Sequence, residues 1–164
     1  MNPKSHTLFH FTKTNETLKL IIKNGFWPRY CLEDVEWLGY KEFDFIAYPM
    51  VCFCDIPISR VDEHVKFYGE YGIGLTKEWA KANKLTPILY VAPNNHIPKT
   101  FRDIIDHSFN MNDEEKESAK KTVRYLLAHS KPTEGNMVIG ADFVSKEFHQ
   151  ESEWRYVPKH NDIN

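Results

Sequence analysis

Met50-Val-Cys-Phe-Cys-Asp-Ile-Pro-Ile58 is the stretch that decides the fold, because it is apolar on both faces until Asp55. A strand that does not alternate between apolar and polar residues is typical of a central strand buried on two sides. Pro57 ends it, since proline has no amide hydrogen for a ladder hydrogen bond. The sequence therefore predicts a sheet with this strand in its interior.

N-terminal to this stretch, the sequence predicts another strand that is followed directly by a helix. Thr7–Thr12 alternates between two faces, as a half-buried strand does. Thr14 or Asn15 can cap the helix that follows, and Gly25 can take the left-handed conformation that ends it.

Downstream, strands and short helices are mixed. The pattern predicts helices over Ser59–Tyr68, Lys77–Asn83, Ile97–Ser108 and Asp113–His129, an extended segment leading to Thr76, and strands over Pro87–Val91 and Phe148–Val157. This order does not repeat a βαβ unit, so we expect an α+β fold with a mixed, mainly antiparallel sheet and flanking helices. No repeat or long linker divides residues 1–164, which predicts a single domain.

Composition excludes several classes of protein. The 164 residues are 41% hydrophobic, and no run approaches the roughly 20 apolar residues of a membrane span or resembles a signal peptide, which predicts a soluble cytoplasmic protein. Three cysteines are an odd number, as expected for reduced thiols, and Cys-x-Cys without a second pair predicts no metal site. The net charge of −2 neither supports nor excludes a nucleic-acid partner.

Two segments carry side chains that could do chemistry, while the common nucleotide-binding, hydrolase and zinc-protease motifs are missing. His10 and Thr12 share one strand face, as ligand-binding groups or as ordinary strand residues. Period-two alternation puts Glu151, Glu153 and Arg155 on one face. Close carboxylates raise each other's pKa and suit acid-base chemistry, but Glu153 and Arg155 could equally form a solvent-facing ion pair.

An ordered set of motifs resembles the AbiGi family of abortive-infection proteins. The motifs are Leu8-Phe-His-Phe-Thr12, Ile21-Ile-Lys-Asn-Gly25, Val51-Cys-Phe-Cys-Asp-Ile-Pro57, Tyr68-Gly-Glu-Tyr-Gly-Ile-Gly-Leu75, Pro87-Ile-Leu-Tyr-Val91 and Glu151-Ser-Glu-Trp-Arg155. They extend over nearly the whole chain, from Leu8 to Val157. The resemblance implies a role in phage resistance, commonly as the antitoxin of a two-component system, with a cognate toxin or antitoxin as partner.

The beginning and end of the chain also resemble the DarT-like branch of the ADP-ribosyltransferase fold. That resemblance implies an enzyme with NAD as donor and no metal. His10 would hydrogen-bond the adenosine ribose, supported by Thr12. Glu153 would hold the nicotinamide ribose and stabilise its cation, and Glu151 would assist a protein or nucleic-acid acceptor.

The remaining roles in such a transferase are less defined. Tyr68 or Tyr71 would stack on nicotinamide, because an aromatic face suits a flat ring. The catalytic arginine of the DarT-like pattern has two candidates, Arg29 and Arg60, near the ends of predicted elements.

Two alternatives from other classes stay open. The first is a non-catalytic antitoxin or partner-binding protein, with an exposed apolar patch contributed by Trp27, Tyr30, Trp37 and Tyr40. The second is a nuclease, although the sequence has no clustered acidic and histidine residues of a metal-dependent nuclease site.

Overall fold

The computed structural model describes residues 6–159. In chain order the elements are β1 (Thr7–Thr12), α1 (Asn15–Asn24), β2 (Arg29–Asp34), β3 (Phe45–Cys54), α2 (Asp62–Tyr68), β4 (Tyr71–Thr76), α3 (Lys77–Ala82), β5 (Thr86–Pro87), β6 (Leu89–Val91), α4 (Ile97–Ser108), α5 (Asp113–Ala128), β7 (Ser130–Pro132), β8 (Glu134–Ile139), β9 (Asp142–Glu147) and β10 (Glu153–Tyr156). Short 3-10 turns cover Glu36–Leu38, Ile58–Arg60 and Phe148–Glu151.

The chain divides into two compact units, and each is assembled from separate segments. The first unit contains residues 1–29, 50–88 and 150–156, and the second contains residues 30–49, 89–149 and 157–164. Both units are therefore discontinuous in sequence. The prediction of a single domain stays a prediction.

The first unit is organised around an antiparallel sheet with the strand order β4-β1-β3-β10-β5. Phe9 of β1 and Glu153 of β10 both lie opposite Cys54 of β3, on its two sides. Met50–Cys54 of the quoted stretch is thus interior strand, as the sequence predicts, although β3 begins already at Phe45 and ends at Cys54, before Pro57. The mixed α+β class with a mainly antiparallel sheet is confirmed.

Apolar side chains cover both faces of this sheet. One face carries a core of buried residues and the other a smaller buried cluster. The core is Leu8, Val51, Phe53, Ala80 and Leu85, and the smaller cluster is Cys54, Ile56 and Val61. Alternate residues of β3 thus enter different clusters, which is the two-sided burial that its uniformly apolar sequence indicates.

The glycines of β4 make room for the aromatic rings of β1. A Cβ atom at Gly72 would lie 2.9 Å from the ring of Phe11, and one at Gly74 would lie 3.0 Å from the ring of Phe9. Any larger residue at either position would force a ring to move, because packed interiors have little free space. This explains why glycine, which is otherwise a poor strand former, occurs at alternate positions of β4.

The second unit combines the α4–α5 helix pair with two small sheets. β6 and β7 pair in parallel, while β8 and β9 form an antiparallel hairpin. Asp34 fixes the chain around it, because its Oδ2 accepts a hydrogen bond from the Asn136 amide at 2.7 Å and its Oδ1 accepts one from the Glu36 amide at 3.0 Å. A buried carboxylate here is stabilised by backbone donors.

Several predicted elements are confirmed. They are β1, α1, β4, α3, α4 and α5, with ends that agree within one residue. The Thr14 hydroxyl accepts a hydrogen bond from the Thr17 amide at 3.1 Å and caps α1. Gly25 ends α1 with a positive φ of 82°, although its ψ of −178° lies outside the left-handed helical region that we predicted.

Other predictions are wrong in part. The strand predicted over Pro87–Val91 is in fact two short strands separated by Ile88. Pro87 pairs with β10, and Leu89 pairs with β7. The Ser59–Tyr68 helix begins only at Asp62, after a 3-10 turn. The Phe148–Val157 strand begins only at Glu153, because Ser152 has a left-handed φ of 45° that ends the pairing. β2, β7, β8 and β9 were not predicted.

Candidate functional site

The candidate site lies in the first unit, where β10 carries a buried ion pair. The Arg155 Nε donates a hydrogen bond to Glu153 Oε1 at 2.6 Å, and its Nη2 donates one to Oε2 at 3.1 Å. Arg155 is 0% exposed and Glu153 5%. The alternation of β10 does place both side chains on one face, but they form a buried bidentate pair and not the solvent-facing one considered from the sequence.

Glu151 approaches this pair from the turn before β10. It lies at the end of the Phe148–Glu151 turn, is buried, and accepts a hydrogen bond from the Tyr68 hydroxyl at 2.6 Å. Burial, followed by the charges of Glu151 and Glu153, raises the pKa of the Cys54 thiol to about 12. The two glutamates therefore share the surroundings of one buried thiol, although Glu151 is not on the strand.

Asp55 adds a second buried ion pair just beyond β3. Its Oδ2 lies 2.7 Å from Lys77 Nζ, and its amide donates a hydrogen bond to the Ser152 carbonyl at 3.1 Å. Asp55 Oδ1 is buried and has no hydrogen-bond partner among residues 6–159. Sequence reasoning missed the pairing with Lys77, since the two residues meet only after β1 has brought the ends of β3 and β4 together.

His10 faces the opposite side of the sheet. Its neighbour Phe9 lies opposite Cys54, which in turn pairs with Glu153, so alternation turns His10 away from the glutamates. The ring packs against Phe26 and Phe53 at centroid distances of 5.2 and 5.5 Å. Its Nδ1 lies 2.8 Å from the Cys52 carbonyl, and burial lowers the pKa of the imidazole.

The other predicted NAD-binding residues divide between the two faces. Thr12 lies two residues beyond His10 on the same face, and its hydroxyl donates a hydrogen bond to the Thr14 carbonyl at 3.0 Å. Tyr71 lies opposite Thr12 on β4. Tyr68, in contrast, contacts Glu151. Period-two alternation therefore places His10, Thr12 and Tyr71 on the face of the sheet opposite to Glu153, and the shared cleft stays a prediction.

The arginine beside Glu153 is also not one that the sequence reasoning singled out as catalytic. Arg29 and Arg60, the two candidates, are exposed at the start of β2 and in the Ile58–Arg60 turn. Arg155 takes the place beside the carboxylate, where it neutralises Glu153. No local signal predicts its full burial, because Trp154 and Tyr156 point to the other face of β10.

Two of the four aromatic residues that the sequence suggests for an exposed apolar patch are exposed. Trp27 and Tyr30 are 75% and 71% exposed. Trp37 donates its indole hydrogen to the Asp34 carbonyl at 3.1 Å and packs edge-on against Phe101. The remaining member stacks on a neighbouring ring, since the centroids of Tyr40 and Phe43 are 5.6 Å apart.

Residues 6–159 contain neither a metal-binding cluster nor a membrane-spanning helix. Within that range there is no cluster of three or more histidine, cysteine, aspartate or glutamate side chains placed to hold a metal ion. Among the same residues, no helix combines the length and the apolar composition that crossing a membrane requires.

Comparison with known proteins identifies relatives by sequence. Residues 24–164 match the profile of a family described as abortive phage resistance protein AbiGi, antitoxin. The chain is 30% identical over 154 residues to the abortive phage resistance protein AbiGi of Lactococcus lactis subsp. cremoris, in an alignment covering 82% of this chain. The chain spans 62% of the length of that relative. No solved structure matches the chain, so the ADP-ribosyltransferase-like fold has no support from a structural neighbour.

Proposed function

The chain belongs to the AbiGi family of abortive phage resistance proteins, and from this premise we propose that it is a non-catalytic antitoxin that neutralises a partner toxin by binding it. The observation that carries the proposal is the state of Glu153. Its two oxygens accept hydrogen bonds from a fully buried arginine. A carboxylate that is 5% exposed and paired with an arginine is poorly accessible to a ribose hydroxyl, and the arginine charge opposes stabilisation of a developing cation.

The transferase reading needs both ends of NAD in one cleft, and the separation of His10 from Glu153 by the sheet argues against it. A buried ion pair between two residues of one strand is a structural use of the charges. The fold then serves as a scaffold, and the activity depends on its surface.

The test is protection of growth. The gene for the chain is expressed in a bacterial host together with the candidate toxin encoded by the adjacent reading frame, which is induced separately. We expect growth arrest by the toxin and rescue by the chain, with the chain harmless when expressed by itself. Failure of the wild-type chain to restore growth would overturn the antitoxin proposal.

Two variants separate binding from catalysis. His10→Ala removes the predicted NAD contact, and the double variant Glu153→Leu with Arg155→Met removes the predicted catalytic carboxylate while keeping an apolar pair in the core. Both should protect as well as the wild type, with circular dichroism confirming the fold. Calorimetry with NAD is the control, since NAD binding that His10→Ala abolishes would favour the transferase.

A further inference from the structure

The segment between Pro57 and Gly69 packs loosely on the sheet of the first unit. Of residues 58–68, which include α2, only Val61 is buried. By contrast, six of the seven residues 50–56, at the end of β3 and just after it, are buried. Local unfolding costs least where a segment buries few apolar side chains. Residues 58–68 should therefore open more easily than the strand beneath them.

Helix α2 also lacks features that stabilise a short helix. It has seven residues, well below the roughly 12–15 that a helix needs to be stable in water by itself. Its N-cap residue is Val61, whose side chain has no acceptor for the free amides of the first turn. The six-residue helix α3 has what α2 lacks, because the Thr76 hydroxyl caps it and Ala80 is fully buried. Helix α1 buries no residue either, but it has ten residues and is capped by Thr14.

The same helix covers a buried part of the candidate site. Val61 and Val65 pack in one apolar cluster with Cys54, which is 2% exposed. At the other end of α2, the Tyr68 hydroxyl donates a hydrogen bond to Glu151 Oε1 at 2.6 Å. α2 thus lies over both the thiol and the carboxylate. The α3 helix packs on the opposite face of the sheet, since Ala80 belongs to the cluster of Phe53 and not to that of Cys54.

We infer that residues 58–68 form a hinged cover, held closed by the hydrogen bond between Tyr68 and Glu151. We call this segment the α2 cover. Its hinges are Pro57 and Gly69, and a glycine can change its backbone angles at little steric cost. The strands β1, β3 and β10 pair with one another and not with α2, so the sheet can stay intact when the cover opens. Opening exposes Cys54 and Glu151. This inference does not depend on the antitoxin proposal.

Cys54 reports the opening directly. The thiolate is the reactive form of cysteine, and burial raises the pKa of the Cys54 thiol to about 12, so the closed protein should react very slowly. In a full-length chain with Cys31→Ser and Cys52→Ala, Cys54 is the single thiol. Alkylation by iodoacetamide, followed by intact-mass spectrometry at fixed pH, then measures how often the cover opens.

The urea dependence of this rate distinguishes local opening from global unfolding. Opening of one short segment exposes little surface, so the alkylation rate should stay nearly constant at urea concentrations below the unfolding transition. A rate that rises with urea as steeply as the unfolding equilibrium constant would mean that Cys54 reacts only in the unfolded chain. That result would overturn the inference.

Two substitutions of similar size test the role of Tyr68. Tyr68→Phe keeps the ring and removes the donor, and it should speed alkylation about ten- to hundredfold, the range expected for a lost hydrogen bond to a charged group. Thr76→Ala is the control, because it removes the cap of α3 on the opposite face and should change the rate less than about twofold. An unchanged rate in Tyr68→Phe, or equal acceleration in both variants, would contradict the proposed role.

Hydrogen exchange of the wild-type chain gives a measurement that needs no substitution. Peptides from α2 should exchange faster than peptides from α3, which is a helix of similar length on the same sheet. Equal protection of the two helices would overturn the α2 cover. These experiments use the chain alone, so their outcome is independent of whether the chain protects against a toxin.

Discussion

Arg155 illustrates how a charge can be fully buried in a small protein. Removing a guanidinium and a carboxylate from water costs several kcal/mol each, and the loss is offset only by close, well-aligned hydrogen bonds. The bonds of 2.6 and 3.1 Å to Glu153 supply that geometry. The intact pair therefore contributes little to the net free energy of unfolding, whereas removing one partner alone should lower that free energy strongly.

Replacing Arg155 by Met should be strongly destabilising, because it leaves the Glu153 carboxylate buried without its cation. We expect a loss of about 3–5 kcal/mol in the free energy of unfolding, measured by urea titration. Adding Glu153→Leu to this variant should recover most of the loss, since the core then holds two apolar residues. A double variant as unstable as the single one would contradict this account.

The Tyr68 hydroxyl should contribute measurably through its hydrogen bond to Glu151. Hydrogen bonds to charged groups are worth about 1.5–3 kcal/mol, so we expect Tyr68→Phe to lower the free energy of unfolding by that amount. Tyr71→Phe is the control, because Tyr71 is 42% exposed and should change stability by less than about 0.5 kcal/mol. Equal effects of the two substitutions would argue against the buried bond.

His10 should make the protein sensitive to mild acid. Burial lowers the pKa of its imidazole below the ordinary value of about 6.5, so the unfolded chain binds the proton more readily than the folded one. The contribution of neutral His10 to the free energy of unfolding is complete above pH 6.5, and it is lost as the pH falls through the pKa of the folded state. Between pH 7.5 and 5, the wild type should lose more stability than His10→Gln. Parallel pH profiles would show that His10 does not titrate in this way.

At the scale of elements, helices and strands with a regular pattern could be predicted from sequence. α4 and α5 have long helical patterns, and β1 alternates, so local propensity and burial agree there. β8 and β9 have no comparable signal, since their residues are partly exposed on both faces and take their pairing from each other. β6 and β7 are short, and their parallel pairing depends on contacts distant in sequence.

Sequence reasoning could name the residues of the candidate site but not their burial or their contacts. The spacing of Glu153 and Arg155 correctly placed both on one face, but their burial depends on what covers the sheet, and spacing does not report that. The opposite orientation of His10 follows from the register of β1 against β3, which no local pattern encodes. Asp55 and Lys77 likewise meet through pairing of distant strands.

The turn between α2 and β4 should be more sensitive to a methyl group than the end of α1. Gly69 and Gly25 both have positive φ, 106° and 82°, which costs any other residue about 1–2 kcal/mol. A Cβ at Gly69 would also overlap the Thr12 carbonyl and lie 2.5 Å from Lys13 Cα, whereas Gly25 has open space.

Gly69→Ala should therefore destabilise by about 2–5 kcal/mol and Gly25→Ala by about 1–2 kcal/mol, as thermal and urea denaturation would measure. The difference isolates the backbone overlap at Gly69 from the cost of the φ angle. Similar losses in both variants would mean that the loop moves aside without cost.

At the scale of the whole molecule, the two units cannot be separated by a single cut. The chain passes between them at residues 29–30, 49–50, 88–89, 149–150 and 156–157, and β3 begins in one unit and ends in the other. The single domain stays a prediction, and the course of unfolding tests it.

If residues 1–164 form a single domain, as the sequence predicts, unfolding should be one cooperative transition. Hydrogen exchange in increasing urea, followed by mass spectrometry, can compare peptides from β10 in the first unit with peptides from α5 in the second. Both sets should lose protection at the same urea concentration. For Arg155→Met, whose substitution lies in the first unit, a single domain predicts that both sets of peptides lose protection at the same, lower urea concentration. Protection that falls in β10 and persists in α5 would show two independent domains and overturn the single-domain prediction.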